Sequence, residues 1–515
     1  MFHSRFLRFS ATVIGSLALA FSVSAQTSTI SGNWVWQGAK LHDGTYDKFY
    51  FQFEQKGQAI TGRVIYPWGI LAITEGSIEG NHFRFVQAPV GEYKFVGEGD
   101  VVGDELHFRV TYFDNKYHDR IVRRCPPDEG NPPARIELPA LHDVPWNGLA
   151  KTPPMGWNSW NKFGGNVSDE VVRGIADAMV SSGMRDAGYI YVNIDDTWEG
   201  RRDSTGALQP NHKFPDMKAL ADYVHSRGLK LGIYSSPGPK TCGGYEGSYG
   251  HEEQDARTFA AWGVDLLKYD WCSAGKLYDM SEVRGVYQKM GDLLLSSGRP
   301  ILYSLCEYGA EKVWEWGPKV GGNMWRTVGD INDTWEVMAK NGFSQSELAA
   351  FAAPGHWNDP DMLEVGNGGM TDEEYRTHMS LWSILAAPLL AGNDLRTMSQ
   401  STRDILVNRE VIAIDQDPAG KQGTRLSKSG ERETWTKPLA GGAVAVGLFN
   451  RGAAPAMMAL RLPELKLSGK VQARDLWAHK DVKFKNGVFE ATVPGHGVVL
   501  LRIEPSGAGR QVRLL

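Results

Sequence analysis

Cysteine is scarce in this sequence, and neither sign of charge is in large excess. The 515 residues include four cysteines, which lack the clustered spacing of a zinc site and allow two disulfides at most. Lysine and arginine number 55 against 60 aspartates and glutamates, which gives a formal net charge of −5. The chain therefore has no basic field for nucleic acid, and nucleic acid is excluded as an expected partner.

Long hydrophobic runs are also missing from most of the chain. After residue 25, no segment has 18 consecutive apolar residues, so no membrane span is expected in the mature protein. Residues 1–25 have the pattern of a secretory signal: a basic start, an apolar run over 9–21 and small residues before a cleavage point after Ala25. We expect a secreted or periplasmic protein, and an uncleaved anchor is the alternative.

Residues 26–125 alternate between apolar and polar side chains with a period of two. Short segments such as 48–53 and 106–110 are separated by turn residues, which predicts an antiparallel β barrel or sandwich. These residues contain no acid pair or histidine cluster that indicates catalysis, so we interpret them as an accessory domain, with glycan binding as an alternative role. Residues 126–151 are a proline-rich linker, because proline favours extended chain.

Residues 152–419 alternate differently. Apolar runs such as 189–193, 229–233 and 301–304 take turns with helical stretches such as 168–186, 216–227 and 252–262. This pattern predicts a parallel (β/α)8 TIM barrel, with a doubly wound open sheet as the alternative. No Gly-x-Gly-x-x-Gly follows the first strand, which disfavours a dinucleotide site. Period-two alternation returns in residues 420–515 and predicts an antiparallel β-sandwich, so the fold class is multidomain α/β plus all-β.

Two predicted barrel strands lead into an acid, Asp270 after the run 264–268 and Asp330 after 323–326. The C-terminal ends of the strands of a TIM barrel meet on one face, and enzymes with this fold have their catalytic groups there. A glycosidase needs two carboxylates, one to attack or stabilise and one to protonate the leaving oxygen. A lone aspartate after a strand is more often a helix N-cap, so this hypothesis depends on the neighbouring residues.

Other strand ends supply polar and aromatic neighbours. They are Trp160, Asp195, Asp196, Tyr234, Lys268, Glu307, Arg326 and Asp361. Carboxylates accept hydrogen bonds from hydroxyl pairs, lysine and arginine donate, and an indole stacks on a sugar ring, so the set fits a small neutral polyol. Metal binding is the rival use of so many carboxylates, but Lys268 and Arg326 would repel a cation, so neither a metal nor a cofactor is expected.

Four ordered motifs make the sequence similar to a known family. They are TPPMGWNSW at 152–160, NIDDTW at 193–198, LKYD at 267–270 and WNDPDM at 357–362. Together they resemble the α-galactosidases of glycoside hydrolase family 27, and the resemblance extends to residue 418 without covering 26–150. It implies a retaining exo-glycosidase that removes terminal α-D-galactosyl residues from a galactose-containing oligo- or polysaccharide.

The resemblance also implies individual roles. Asp270 matches the nucleophile and Asp330 the general acid/base. Cys242 and Cys272 match a disulfide pair that frames the site, whereas Cys306 finds no matching partner and is expected to be a free buried thiol.

The remaining matched residues surround the expected sugar. Their implied places are Asp195 and Asp196 at the 4- and 6-hydroxyls, Lys268 at the 3- and 4-hydroxyls, Trp160 as the stacking platform, Glu307 and Arg326 near the 2-hydroxyl, Tyr234 beside the nucleophile and Asp361 near the acid/base.

Related activities on the same barrel are the alternatives. An α-N-acetylgalactosaminidase is disfavoured because it needs small residues where Glu307 stands. A β-L-arabinopyranosidase is a closer rival, yet such enzymes alter the second acid of the pair, and Asp196 is unaltered here. An isomaltodextran-cleaving enzyme is a further alternative. A secreted sugar-binding protein without activity is the non-enzyme alternative, and the presence of both Asp270 and Asp330 argues against it.

Overall fold

The computed structural model of the protein describes residues 29–40, 46–467 and 470–506, so the expected signal at 1–25 lies outside the described residues. The chain divides into two compact units, the first made of most of residues 29–129 and the second containing residues 130–506. Within the described ranges, no helix is long and apolar enough to cross a membrane.

The first unit is a closed antiparallel barrel, which decides between the two predicted architectures. Its strands are β1 (Gly32–Lys40), β2 (Tyr46–Lys56), β3 (Ala59–Ile65), β4 (Ile70–Glu79), β5 (His82–Gln87), β6 (Val96–Val102), β7 (Glu105–Thr111) and β8 (Tyr117–Arg124). Strand β1 pairs with β8 and closes the circle. The interior is filled by phenylalanine rings; those of Phe51 and Phe108, for example, have centroids 5.3 Å apart.

The second unit contains the predicted parallel barrel. Its strands are β9 (Met155–Asn158), β10 (Tyr191–Asn193), β13 (Lys230–Ser235), β14 (Leu266–Asp270), β15 (Leu302–Cys306), β16 (Met324–Arg326), β17 (Trp357–Asp359) and β18 (Leu389–Ala391). A separate hairpin is made by β11 (Glu199–Arg202) and β12 (Leu208–Pro210). The parallel strands run in the order β17-β16-β15-β14-β13-β10-β9-β18. A parallel bridge between Leu363, after β17, and Ala391 in β18 links the two ends of this order.

Helices alternate with these strands. They are α1 (Trp160–Phe163), α2 (Asp169–Ser181), α3 (Met184–Ala187), α4 (Met217–Ser226), α5 (Glu252–Trp262), α6 (Val283–Ser296), α7 (Val313–Trp316), α8 (Trp335–Phe343), α9 (Asp372–Leu385), α10 (Gln400–Leu406) and α11 (Arg409–Asp415). The single helix predicted over 168–186 is two helices, because Gly183 has a φ of 84° and ends the first. Polar caps begin others: the Ser168 hydroxyl accepts from the Val171 N–H at the start of α2.

The linker residues from 130 onward belong to the second unit and are held there by specific contacts. The Tyr249 hydroxyl donates to the carbonyl of Ala134 at 2.8 Å and accepts from the N–H of Ile136 at 2.8 Å. Farther along, the Asn147 amide donates to Asn323 Oδ1 at 3.0 Å. Extended chain exposes backbone groups, and the Tyr249 hydroxyl satisfies two of them.

The chain ends in a β-sandwich, as predicted. Its strands are β19 (Thr424–Ser429), β20 (Arg432–Pro438), β21 (Val444–Asn450), β22 (Ala456–Arg461), β23 (Val471–Asp475), β24 (Lys480–Val482), β25 (Val488–Val493) and β26 (Val498–Pro505). Six of them form one antiparallel sheet, and β22 pairs with β25 in a second. Leu448, Leu460 and Leu501 belong to the apolar core between the sheets. The predicted fold class is confirmed in all three parts.

Candidate active site

A cavity of about 530 Å³ opens where the C-terminal ends of the parallel strands meet. Parallel strands of one barrel point the same way, so their last residues converge on one face. Nine of the ten catalytic and sugar-binding residues predicted from the sequence line this cavity: Trp160, Asp195, Asp196, Tyr234, Lys268, Asp270, Arg326, Asp330 and Asp361.

Glu307 is the tenth predicted residue, and the structure does not bring it to the cavity wall. It follows β15 but is buried, and within the described residues neither carboxylate oxygen has a hydrogen-bond partner. Burial raises the pKa of Glu307 well above its usual value. The next residue, Tyr308, has a φ of 60° and lines the cavity instead. A place for Glu307 near a 2-hydroxyl stays a prediction.

Asp270 ends β14 and is 5% exposed. Two phenols donate to it: the Tyr308 hydroxyl to Oδ1 at 2.8 Å and the Tyr234 hydroxyl to Oδ2 at 3.1 Å. Burial raises the pKa of Asp270, while the charge of Lys268 and the Tyr308 hydrogen bond work in the opposite direction. The Asp270 carboxylate is therefore shielded from water, and the two tyrosine hydroxyls donate the hydrogen bonds that water would otherwise supply.

Asp330 stands at the mouth of the cavity, and its side chain is 67% exposed. The buried guanidinium of Arg326 lies 3.0 Å from Asp330 and 3.1 Å from Asp361. Burial opposes the charge of Arg326, but the carboxylates of Asp361 and Asp330 outweigh it and raise the pKa of this guanidinium. Asp361 also accepts from the N–H of Ile331 at 2.7 Å, which fixes the backbone next to Asp330.

Asp195 and Asp196 form the opposite wall, directly after β10. Lys268 Nζ donates to Asp195 Oδ2 at 2.7 Å, so this lysine pairs directly with Asp195 and acts on Asp270 through its charge. Asp196 Oδ2 accepts from the Gly243 N–H at 2.6 Å. Burial raises the pKa of Asp196 to about 7. A Cβ at position 243 would lie 3.1 Å from Asp196 Oδ2, so glycine allows this close approach.

The predicted disulfide is present. Cys242 and Cys272 are bonded, with Cα atoms 5.0 Å apart, and Cys306 is a free buried thiol, as expected. The bridge joins the loop that carries Gly243 to the residues just after Asp270. Cys242, Cys272 and Asp270 also form the one group of metal-type ligands found among the described residues, but the sulfurs are in the disulfide and no longer offer thiolates.

Sequence reasoning missed several residues of the cavity. Tyr308 is the most consequential, and its only signal was its place directly after Glu307 at a strand end. Glu364 is another: its carboxylate accepts from the amides of Asn161 and Asn367, and burial raises its pKa to about 7. Nothing in the local sequence around Glu364 indicated that it would face the cavity.

Comparison with known proteins places this geometry in a family. A family model described as "Alpha galactosidase A" matches residues 152–417, and one described as "Alpha galactosidase C-terminal beta sandwich domain" matches residues 429–503. An α-galactosidase of Cyamopsis tetragonoloba is 49% identical over 365 residues, which are 70% of this chain and 88% of that protein.

Solved structures agree with the sequence relatives. The crystal structure of α-galactosidase I from Mortierella vinacea has a TM-score of 0.66 and 38% identity, covering 71% of this chain and all of the other. A structure from Bacteroides fragilis, with a TM-score of 0.66 and 34% identity, covers 92% of this chain and 95% of its own. That share is too large to come from residues 130–515 alone, so it includes part of the N-terminal unit. The family model spans more than half of the sequence, and the chain belongs to the α-galactosidases of glycoside hydrolase family 27.

Proposed function

We propose that the protein is a retaining exo-α-galactosidase that releases terminal α-D-galactosyl residues by double displacement. The observation that carries the proposal is the pairing of a buried Asp270, held by two phenols, with an Asp330 at the mouth of the same cavity. A retaining glycosidase needs one carboxylate to attack and another that reaches the leaving oxygen from the solvent side.

In the first half of the reaction, Asp270 attacks the anomeric carbon and Asp330 protonates the departing oxygen. The bond from the anomeric carbon to that oxygen breaks as the bond to the Asp270 carboxylate forms, which leaves a covalent glycosyl-enzyme. Because Tyr234 and Tyr308 already donate to both oxygens of Asp270, the carboxylate is oriented before substrate arrives.

In the second half, Asp330 becomes the base. It takes a proton from water, the water oxygen bonds to the anomeric carbon, and Asp270 leaves as a carboxylate. The exposure of Asp330 gives water access to it, and its ion pair with Arg326 sets its direction. Both halves pass through an oxocarbenium-like state, whose positive charge the carboxylates stabilise.

Recognition of the sugar falls to the opposite wall and the rim. Asp195 and Asp196 accept from the 4- and 6-hydroxyls, Lys268 donates to the 3- and 4-hydroxyls, and the half-exposed indole of Trp160 stacks on the ring. The selectivity for galactose arises because a sugar that lacks one of these hydroxyls would leave a buried polar group of the cavity without a hydrogen bond, which weakens binding.

The test is a panel of p-nitrophenyl glycosides with wild type and two variants. We expect the α-galactoside to be the best substrate, and Asp270→Asn and Asp330→Asn each to lose most activity, since acid–base assistance alone is typically worth about 10²–10⁴-fold. Azide should rescue a nucleophile-deleted variant, Asp270→Gly, by forming a glycosyl azide. The control is Asp292→Asn, because Asp292 pairs with His142 and is not among the residues that line the cavity. Wild-type turnover in Asp270→Asn would refute the proposal.

The cellular location is a second part of the proposal. The basic start, the apolar run and the small residues before Ala25 support export to the periplasm or the medium, with cleavage after Ala25. N-terminal sequencing of the exported protein tests it, and a mature chain that begins at Met1 would contradict it.

A further inference from the structure

A buried acid beneath the Asp195–Asp196 pair has no part in the scheme above. Glu199 begins β11 and is fully buried. Its Oε2 accepts from the N–H of Thr197 at 3.1 Å, while its Oε1 has no hydrogen-bond partner among the described residues. Glu199 does not line the cavity, so it does not reach a sugar bound there.

Thr197, the residue that Glu199 contacts, has a strained backbone. Its φ is 85°, in the left-handed region that a β-branched residue rarely adopts. A conformation of this kind persists only where surrounding groups hold it. Lys213 supplies one such contact, with its Nζ 3.3 Å from Thr197 Oγ1 and 2.8 Å from the carbonyl oxygen of Gly165.

The N–H of Thr197 is shared between two acids. It donates to Asp196 Oδ1 at 2.6 Å and to Glu199 Oε2 at 3.1 Å. Burial, reinforced by the charge of Asp196, raises the pKa of Glu199 well above its usual value and so favours the neutral form of Glu199 next to Asp196. A neutral acid accepts the hydrogen bond without the repulsion that two adjacent charges would cause.

The other oxygen of Asp196 is also held by a backbone donor. Gly243 N–H donates to Oδ2 at 2.6 Å, so the Asp196 carboxylate lies between two peptide groups. One of those peptides, at Thr197, is held in its strained conformation in part by Glu199, which accepts from its N–H at 3.1 Å. Loss of Glu199 would let this peptide relax and would change the direction of the carboxylate.

We propose that Glu199 is a positioning residue that holds the Thr197 peptide, and through it the Asp196 carboxylate, in the orientation required by the 6-hydroxyl of galactose. Glu199 thereby selects galactose over arabinopyranose, which has the same ring without the hydroxymethyl group. The inference rests on the proposed function, in which Asp196 binds that hydroxyl.

The experiment compares Glu199→Gln and Glu199→Ala on matched p-nitrophenyl α-D-galactoside and β-L-arabinopyranoside. Glutamine keeps the shape, the neutral charge and an acceptor oxygen, so its selectivity should match that of the wild type. Alanine should lower kcat/KM on the galactoside by roughly 10- to 100-fold, because a polar contact to a substrate hydroxyl is lost, while the arabinopyranoside changes by less than about threefold.

A second variant tests the backbone part of the inference. Glycine adopts a φ near 85° without strain, so Thr197→Gly in the Glu199→Ala background should restore part of the galactose selectivity. If Glu199→Ala does not fold, Glu199→Asp serves in its place, since it keeps the acid but withdraws the oxygen by one methylene.

Two outcomes overturn the inference alone. One is an equal loss on both sugars in Glu199→Ala, which a general structural role would give; the other is a Gln variant as impaired as the Ala variant. A wild type without galactosidase activity would overturn the proposed function first, so the two failures are distinguishable.

Discussion

At the scale of single residues, the Asp270 carboxylate has its shortest side-chain hydrogen bond with Tyr308. The phenol lies 2.8 Å from Oδ1, and the backbone at Tyr308 has a φ of 60° that turns the side chain into the cavity. Tyr234 contacts the other oxygen, but at 3.1 Å, and it is shared with the sulfur of Cys272 at 3.2 Å. The two tyrosines are therefore unequal donors to one carboxylate.

Replacing Tyr308 with phenylalanine should weaken the nucleophile in two measurable ways. A hydrogen bond to a charged group contributes about 1.5–3 kcal/mol, so kcat/KM on the galactoside should fall roughly 10- to 100-fold. The hydrogen bond lowers the pKa of Asp270, so its loss raises that pKa, and the acidic limb of the kcat/KM profile should move to higher pH.

The matched control for this change is Tyr278→Phe, which removes a hydroxyl that donates to the Ile136 carbonyl outside the cavity. Its pH profile should coincide with that of the wild type. An unmoved acidic limb in Tyr308→Phe would show that this phenol does not act on Asp270.

At the scale of elements, the disulfide holds together two loops that carry different parts of the site. One loop contains Gly243, whose N–H binds Asp196, and the other follows Asp270 at the end of β14. The bridge closes a separation of 30 residues, and loop-entropy arguments assign such a closure roughly 3–4 kcal/mol. The same disulfide therefore stabilises the folded second unit and holds the Gly243 N–H in place beside Asp196.

Cys272→Ser should lower the unfolding midpoint of the second unit and raise KM for the galactoside more than it lowers kcat. The reason is that Asp196 loses a fixed donor, while Asp270 keeps its closer donor, the Tyr308 hydroxyl, which does not contact Cys272. Denaturation curves and steady-state kinetics, with and without a reducing agent, measure both effects. Cys125→Ser in the first unit is the control, and an unchanged midpoint in Cys272→Ser would contradict the loop-closure argument.

Much of this element-scale arrangement followed from the sequence, and its limits have physical reasons. Period-two alternation predicted the two β regions, and strand–helix alternation predicted the parallel barrel between them. These predictions succeed because the side of an element that is buried determines the period of its apolar residues. The break between α2 and α3 was missed, since a glycine inside a helical pattern does not by itself say where the helix ends. Tyr308 and Glu364 were missed because their direction is set by tertiary turns that leave no periodic signal.

At the scale of the whole molecule, the second unit carries several acids whose pKa is raised by burial. The pKa is about 6 for Asp359, about 7 for Asp196 and Glu364, and about 8 for Asp415. In the unfolded chain such groups ionise near pH 4. Each raised pKa therefore contributes stability that is complete below about pH 4 and is lost as the pH rises through about 6 to 8.

The protein should consequently be more stable at pH 5 than at pH 8. Calorimetry should show a higher Tm at pH 5, and Glu364→Gln should reduce the difference because the amide does not ionise. Glu336→Gln, which changes an exposed acid of α8, is the control and should leave the difference unaltered. A Tm that rises from pH 5 to pH 8 would contradict the burial argument.

Phenylalanine side chains fill the interior of the N-terminal barrel, and this determines which of its surfaces can contact other molecules. A barrel of eight strands has room for its own side chains or for one small ligand. The rings of Phe51, Phe85 and Phe108, each no more than 5% exposed, occupy that room. The outer wall is therefore the surface left for contacts with other molecules. Saturation mutagenesis should show intolerance at the buried apolar positions of β2, β5 and β7, which are Phe51, Phe53, Phe83, Phe85, Val86, Leu106, Phe108 and Val110.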